Sequence, residues 1–246
     1  MSLNPFAAAK ALENEKVGGE ERDSLGGGFL LPSNSYDMTI TAFWAGKYDS
    51  GAGFVELHAE TVDGKKYKLR ECTSNKNGDN FYEKDGEKNF LPGFNKMNSV
   101  ALLASRKGLA DGDWQLKTIK VWNKDASAEL PTEVAMNMSV VGKKITLGIL
   151  EVEVNKTVKN EATGKYDPIA ETRVENQLDK VFDFESKKTI AEFRAKAENA
   201  QFHGDWVAKY AGQKQNRVKT TGLAQGGANS AAAGAAGGKP VDDLFG

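Results

Sequence analysis

A single cysteine, Cys72, stands in 246 residues, with only two histidines, His58 and His203, beside it. One thiol closes no internal disulfide, and these three side chains write no zinc site of standard spacing. Long apolar runs are missing as well: none approaches the roughly 18 residues that a membrane helix needs. Nor does one charge dominate. With 33 Lys and Arg against 34 Asp and Glu, the formal net charge is −1. That argues against indiscriminate nucleic-acid binding, yet it hides local patches able to hold a polyanion. The opening residues MSLNPFAAAKALENEKVGGEER place glutamates where a secretory signal would be apolar, so a cytoplasmic location is expected.

Enzyme motifs are equally scarce. The Gly-Lys pairs at Gly142, Gly164 and Gly238 lack the upstream glycine or the following hydroxyl of a phosphate-binding loop. Neither histidine lies near a G-x-S-x-G or a catalytic cysteine signature; His58 reads as strand surface and His203 as a helix end. Asp111 and Asp113 flank a glycine in a polar turn, short of the converging oxygens a divalent ion requires. No catalytic group, metal or cofactor is expected.

What is there is an ordinary globular composition, 39% hydrophobic and 27% charged, long enough for one large or two small domains. Residues 1–28 carry a short helix signal, Asn4 as cap and Pro5 at the first helical position, followed by a Gly-rich linker. Ordered structure is expected over 29–212. In YDMTITAFW, strict alternation sets Tyr36, Met38, Ile40, Ala42 and Trp44 on one face and Phe43 with the polar residues on the other. FVELHAETVDGKKYKLREC reads as a hairpin. A two-residue loop Asp63-Gly64 would set Leu57 beside Arg70 and mix the faces. The three-residue loop Val62-Asp63-Gly64, with Gly64 left-handed, instead pairs Leu57 with Leu69 and Ala59 with Tyr67.

A polar, aromatic loop then leads into a helix of about three turns, with Met97, Val100, Ala101 and Ala104 at helical spacing and Gly108 as its stop. Strands resume at LKTIKVWN, EVAMNMSVVG and KKITLGILEVEVNKTV. The expected fold is therefore mostly β with added helices. Its ingredients match a five-stranded barrel of the oligonucleotide-binding (OB) type, with a helix between the third and fourth strands; other small barrels fit the same list. From Lys187 the pattern turns helical. Ile190, Phe193 and Ala197 form one apolar stripe and Trp206, Val207 and Tyr210 another, both expected to dock on the barrel. Residues 213–240 are Gly/Ala-rich and free of acid, which reads as a flexible tether. It carries a tip, 241–246, of sequence VDDLFG.

Single-strand binding asks for cations that follow phosphates and rings that stack on unpaired bases, and this chain interleaves the two. Lys66, Lys68 and Arg70 share one hairpin arm with Lys65, and the loop after it supplies Lys76, Phe81, Tyr82, Lys84 and Lys88. Lys120 and Trp122 follow on a later strand. Phe81 and Tyr82 lie where no apolar periodicity claims them, and Phe43 on its polar face is a third stacking candidate. The tip offers Asp242 and Asp243 to a basic groove and Leu244 and Phe245 to an apolar pocket, the pattern of a peptide ligand.

Acidic C-terminal tips with a terminal aromatic occur in bacterial and phage single-stranded-DNA-binding proteins, and this one resembles them. YEKDGEKNFLPGFNKMNSVALLA, GKKITLGILEVEVNKTVKN, ETRVENQLDKVFD and WVAKYAGQ look like the single-stranded-DNA-binding proteins of podovirus-type phages. The resemblance covers roughly 29–212. It implies an OB-fold core, protection of replication and recombination intermediates in the cytoplasm of an infected bacterium, and a tail that recruits a polymerase, primase or helicase. One departure is Gly246, which moves the terminal carboxylate off Phe245. A homodimer stays open. So does a rival from another class, an adaptor or inhibitor acting through the tail on a passive barrel, and a nuclease or polymerase accessory with an unrecognised metal site.

Overall fold

The computed structural model describes residues 30–223 except 124 and 165, so the N-terminal helix signal and the VDDLFG tip lie outside the described residues. Three antiparallel strands open the fold: β1 (Asn34–Lys47), β2 (Gly53–Thr61) and β3 (Lys66–Ser74). The hairpin between β2 and β3 has the expected three-residue loop. Leu57 faces Leu69, Ala59 faces Tyr67, and Gly64 takes φ +82°. A short hairpin, β4 (Phe81–Lys84) and β5 (Glu87–Phe90), precedes helix α1 (Pro92–Ser105). A 3₁₀ turn, Leu109–Asp111, leads to a long hairpin, β6 (Trp114–Asn123) with β7 (Ala128–Asn137), and a longer one, β8 (Lys144–Lys159) with β9 (Tyr166–Phe182).

β1 holds these pieces together. Its first half pairs with β8 (Asn34 opposite Ile149, Thr39 opposite Lys144), and further along, at Trp44 and Ala45, β7 takes over. β9 lies on the far side of β8. Among the described strands β3 pairs only with β2, and β9 only with β8. The sheet therefore stays open rather than closing into a five-stranded barrel. Helix α1 packs against both free strands, and its Met97, Val100 and Ala101 are fully buried against Ile40, Leu57, Ile145 and Leu147. A helix thus seals the gap that strand pairing would close.

The alternation expected for β1 holds only to Ile40. Between Ile40 and Ala42 the register with β2 slips by one residue, leaving Thr41 as a bulge. Ile40 keeps its backbone bonds elsewhere, donating to Lys143 O and accepting from Gly142 N–H. One extra residue reverses every side chain after it. Phe43, expected on the polar face, is consequently fully buried in the main core, and no base can stack on it. Ala42 and Trp44 turn to the opposite face, where Trp44, Phe54, Val134 and Met136 form a second small core.

Two helices follow β9. Thr189 and Glu192 form a reciprocal capping box for α2 (Ile190–Arg194), which ends after five residues instead of filling the expected span. Phe193 points away from the core, 41% exposed. Helix α3 (Gln201–Tyr210) docks Trp206 against Leu150, Val152 and Phe182, with the indole N–H donated to Asp179 at 2.8 Å. Beyond α3 the tether was expected to start at Gln213, but the chain remains attached. Gly212 N–H donates to Ser33 O, strand β10 (Gln215–Asn216) pairs in parallel with β8, and Asn155 bonds both the N–H and the carbonyl of Lys219. Those are backbone contacts and the bonds of one side-chain amide, Asn155, and neither leaves an apolar pattern in the sequence.

Two glycines should respond oppositely to alanine. A Cβ on Gly93 would lie 2.2 Å from the carbonyl oxygen of Cys72, where α1 crosses β3, so Gly93→Ala should cost about 1–3 kcal/mol. Gly204, inside α3, meets no atom within 4 Å, so Gly204→Ala should stabilise by roughly 1 kcal/mol. Urea denaturation of the two variants checks both signs.

Candidate nucleic-acid interface

Strand pairing sets Trp44, Glu56 and Arg70 in one row across β1, β2 and β3, and Ala42, His58 and Lys68 in the next. On this face Arg70 is not a free cation. Its Nε donates to Glu56 Oε2 at 2.5 Å, and the guanidinium lies 4.2 Å from the Phe54 ring centroid and 5.6 Å from that of Trp44. Glu56 also meets His58 Nε2 at 2.6 Å. Burial pushes the Glu56 carboxyl up, but the bonds from His58 and Arg70 outweigh it and hold the carboxyl below its usual range. Arg70, expected to neutralise phosphate, is therefore spent on Glu56 and on the lid of the second core. Lys65 is paired with Asp63. Lys66 and Lys68, both exposed, are in no ion pair with a described residue.

The stretch expected as a loop around Phe81 and Tyr82 is the β4–β5 hairpin. Asp85 at φ 55° and Gly86 at φ 80° make its two-residue turn, and their Asp-Gly sequence was the signal that could have revealed it. One face carries Phe81 opposite Phe90, with Lys88 Nζ 4.5 Å from the Phe81 ring centroid. Phe90 stacks on Phe94 of α1 at 5.0 Å, which ties the hairpin to the body, yet it remains 56% exposed. Phe81 is half-buried. Tyr82, on the opposite face with Lys84, is 44% exposed. Lys76 stands exposed in the turn before the hairpin.

On the β6–β7 hairpin, Lys120 and Trp122 share a face with Leu116, because residues two apart on a strand point the same way. Trp122 is 63% exposed and Leu116 67%. The other face bears Ile119 and Val121, which pack on the second core. This outer face is thus largely exposed, its tryptophan included. Lys76, Lys84, Lys88 and Lys120, like Lys66 and Lys68, pair with no described carboxylate.

Sequence reasoning passed over a second set of cations beside rings: Arg106 near Phe193, and Lys144 and Lys187 near Phe184. Packing brings these together from three separate segments, and no local motif announces them. Among known proteins, no family model matches this chain, and no curated protein matches it.

The two kinds of cation on the β2–β3 face should separate by stability. Arg70→Gln strips Glu56 of a charged partner and Phe54 of its cover, and should cost about 1–2 kcal/mol. Lys68→Gln should stay within about 0.5 kcal/mol of the parent. Denaturant titration of both variants decides.

Proposed function

We propose that this chain is a non-enzymatic, sequence-independent single-stranded-DNA-binding protein of a phage, acting in DNA replication and recombination in the infected cell's cytoplasm. The observation that carries the reading is the pairing of exposed rings with unpaired lysines on two hairpins, Tyr82 with Lys84 and Trp122 with Lys120. Exposed rings beside lysines in no ion pair with a described residue suit a ligand that is flat and anionic at every unit, although Glu87 stands opposite Lys84 and Glu129 opposite Trp122. Lys66, Lys68, Lys76 and Lys88 add phosphate ligands. Phe81, half-buried under Lys88, supports the hairpin more than it offers a stacking face.

Strand order supports an OB core. A β1–β2–β3 meander, a helix, and then a strand that returns to pair with β1 and hairpins with the next is the order of that fold. Here α1 stands where the third and last barrel strands would meet. The tip is read as a second functional unit: Leu244 and Phe245 as anchors for a polymerase, primase or helicase, and Asp242 and Asp243 as competitors for the DNA-binding lysines.

Titration of a fluorescent oligothymidine tests the core of this reading. Log Kd should vary linearly with log salt, with a slope near 0.7 per phosphate neutralised, and duplex should bind more weakly. Tyr82→Ala and Trp122→Ala should each cost about 1–3 kcal/mol of binding while melting is unchanged. Equal affinity for duplex, or indifference to salt, counts against the proposal. Deleting 241–246 should tighten single-strand binding, most at low salt, and abolish capture of replication proteins. Unchanged affinity at low salt would remove the competition.

A further inference from the structure

Arg106, just past the end of α1, lines three adjoining hollows. One, of about 530 Å³, has an apolar floor of Leu102, Ile190 and Phe193 with Arg194 at its edge. A second of about 530 Å³ runs toward Lys107 and Lys143, and a third of about 350 Å³ is bordered by Lys143, Lys144 and Phe184. The guanidinium of Arg106 lies 5.2 Å from the Phe193 centroid, and Lys144 lies 5.0 Å from that of Phe184. Acids do not cancel this charge. Asp183 pairs with Arg106 at 2.6 Å, and Asp113 and Glu185 also line the second and third hollows, three carboxylates against Arg106, Lys107, Lys143, Lys144 and Arg194. Lys143, Lys144 and Arg194 are exposed and in no ion pair with a described residue.

The backbone adds a second observation. Arg106 closes α1 in the left-handed conformation, φ 62°, and Lys187 beside Phe184 takes φ 58°. Glycine serves such positions without the steric cost of roughly 1–2 kcal/mol that a Cβ brings. Arg106 is held there instead at the edge of all three hollows, whereas the Lys187 ammonium is bound to Asp37 and Thr146; strain retained at a cleft points to use of the Arg106 side chain.

Taking single-strand binding as the premise, we infer that a further segment of the bound strand crosses this groove. Its phosphates meet Lys143, Lys144 and Arg194, Arg106 adds its outward guanidinium edge, and one base rests on Phe193. Connected hollows with cations along their length match a polymer charged at every unit. The two adjacent carboxylates of the chain's own tip would answer only one end of such a row.

The test uses the full chain and a fluorescent oligothymidine of about 30 nucleotides, longer than the 4–16 covered by one OB fold. The triple variant Lys143→Gln, Lys144→Gln, Arg194→Gln should bind about ten- to hundredfold more weakly near 0.1 M salt, with the salt slope reduced by about 2. Phe193→Ala should weaken binding about tenfold without lowering the salt slope. If both variants bind like the parent while Trp122→Ala does not, the groove carries no DNA and only this inference falls. If the parent binds no single strand, the premise falls with it. A triple variant that binds more tightly, and no longer responds to deletion of 241–246, would give the groove to the acidic tip and overturn the assignment.

Discussion

The extra residue at Thr41 is the constraint on which the rest of the molecule depends. β1 is the one strand that pairs with β2, β7 and β8, so a change of face within it acts on every layer. Before the bulge, Met38 and Ile40 face the main core; after it, Phe43 does, and Ala42 and Trp44 turn outward. A bulge also bends its strand and sharpens the twist. That lets one half of β1 run beside β8 and the other beside β7. The β6–β7 hairpin therefore joins the sheet at a separate place from β8–β9, and its outer face, with Lys120 and Trp122, stays uncovered.

The second consequence is the open edge. With β3 and β9 unpaired on their outer sides among the described strands, α1 must approach both closely, and Gly93 permits the approach by leaving room for the Cys72 carbonyl. The Lys96–Glu71 ion pair at 2.7 Å fixes the same end of the helix to β3. At its other end the helix stops on Arg106, whose charge binds the turn after β9 through Asp183. Burial pushes the Asp183 carboxyl up, but bonds from Ser186 and Arg106 hold it below its usual range. One residue thus caps a helix, anchors a turn and borders a groove.

Local regularity decided what was legible in the sequence. The β2–β3 register followed from alternation on both arms and a glycine at the left-handed position, and α1 from Met97, Val100 and Ala101 at helical spacing. Phe43 was misplaced because a bulge leaves no residue signature: Thr41 is an ordinary strand residue. Arg70 misled because its partner Glu56 is named by cross-strand register, which exposure-blind counting of cations ignores. The β4–β5 hairpin carried its signal in Asp85-Gly86, masked by the surrounding polar residues. β10 and the anchor at Lys219 rest on backbone bonds and on Asn155, and apolar pattern has no access to either.

The near-zero net charge also takes on a physical meaning once the pairs are located. Two largely buried carboxylates are consumed locally, Glu56 by Arg70 and Asp183 by Arg106, and the exposed Asp37 is held by Lys187 at 2.5 Å. Each of these pairs does structural work at a strand row or a turn, and the pairs on Glu56 and Asp183 are shielded from mobile ions more than a surface pair is. Among the described residues, lysines in no ion pair include those on the β4–β5 and β6–β7 hairpins and at the groove beside α1, so the field near those surfaces is set by them and not by the total. Such a surface is attractive only within about a Debye length, roughly 10 Å at 0.1 M salt. On the proposed single-strand reading, grip then depends on rings and cations meeting the strand together, which would make Tyr82, Trp122 and Phe193 as necessary as any charge and leave duplex, whose bases are stacked out of reach, a poorer ligand.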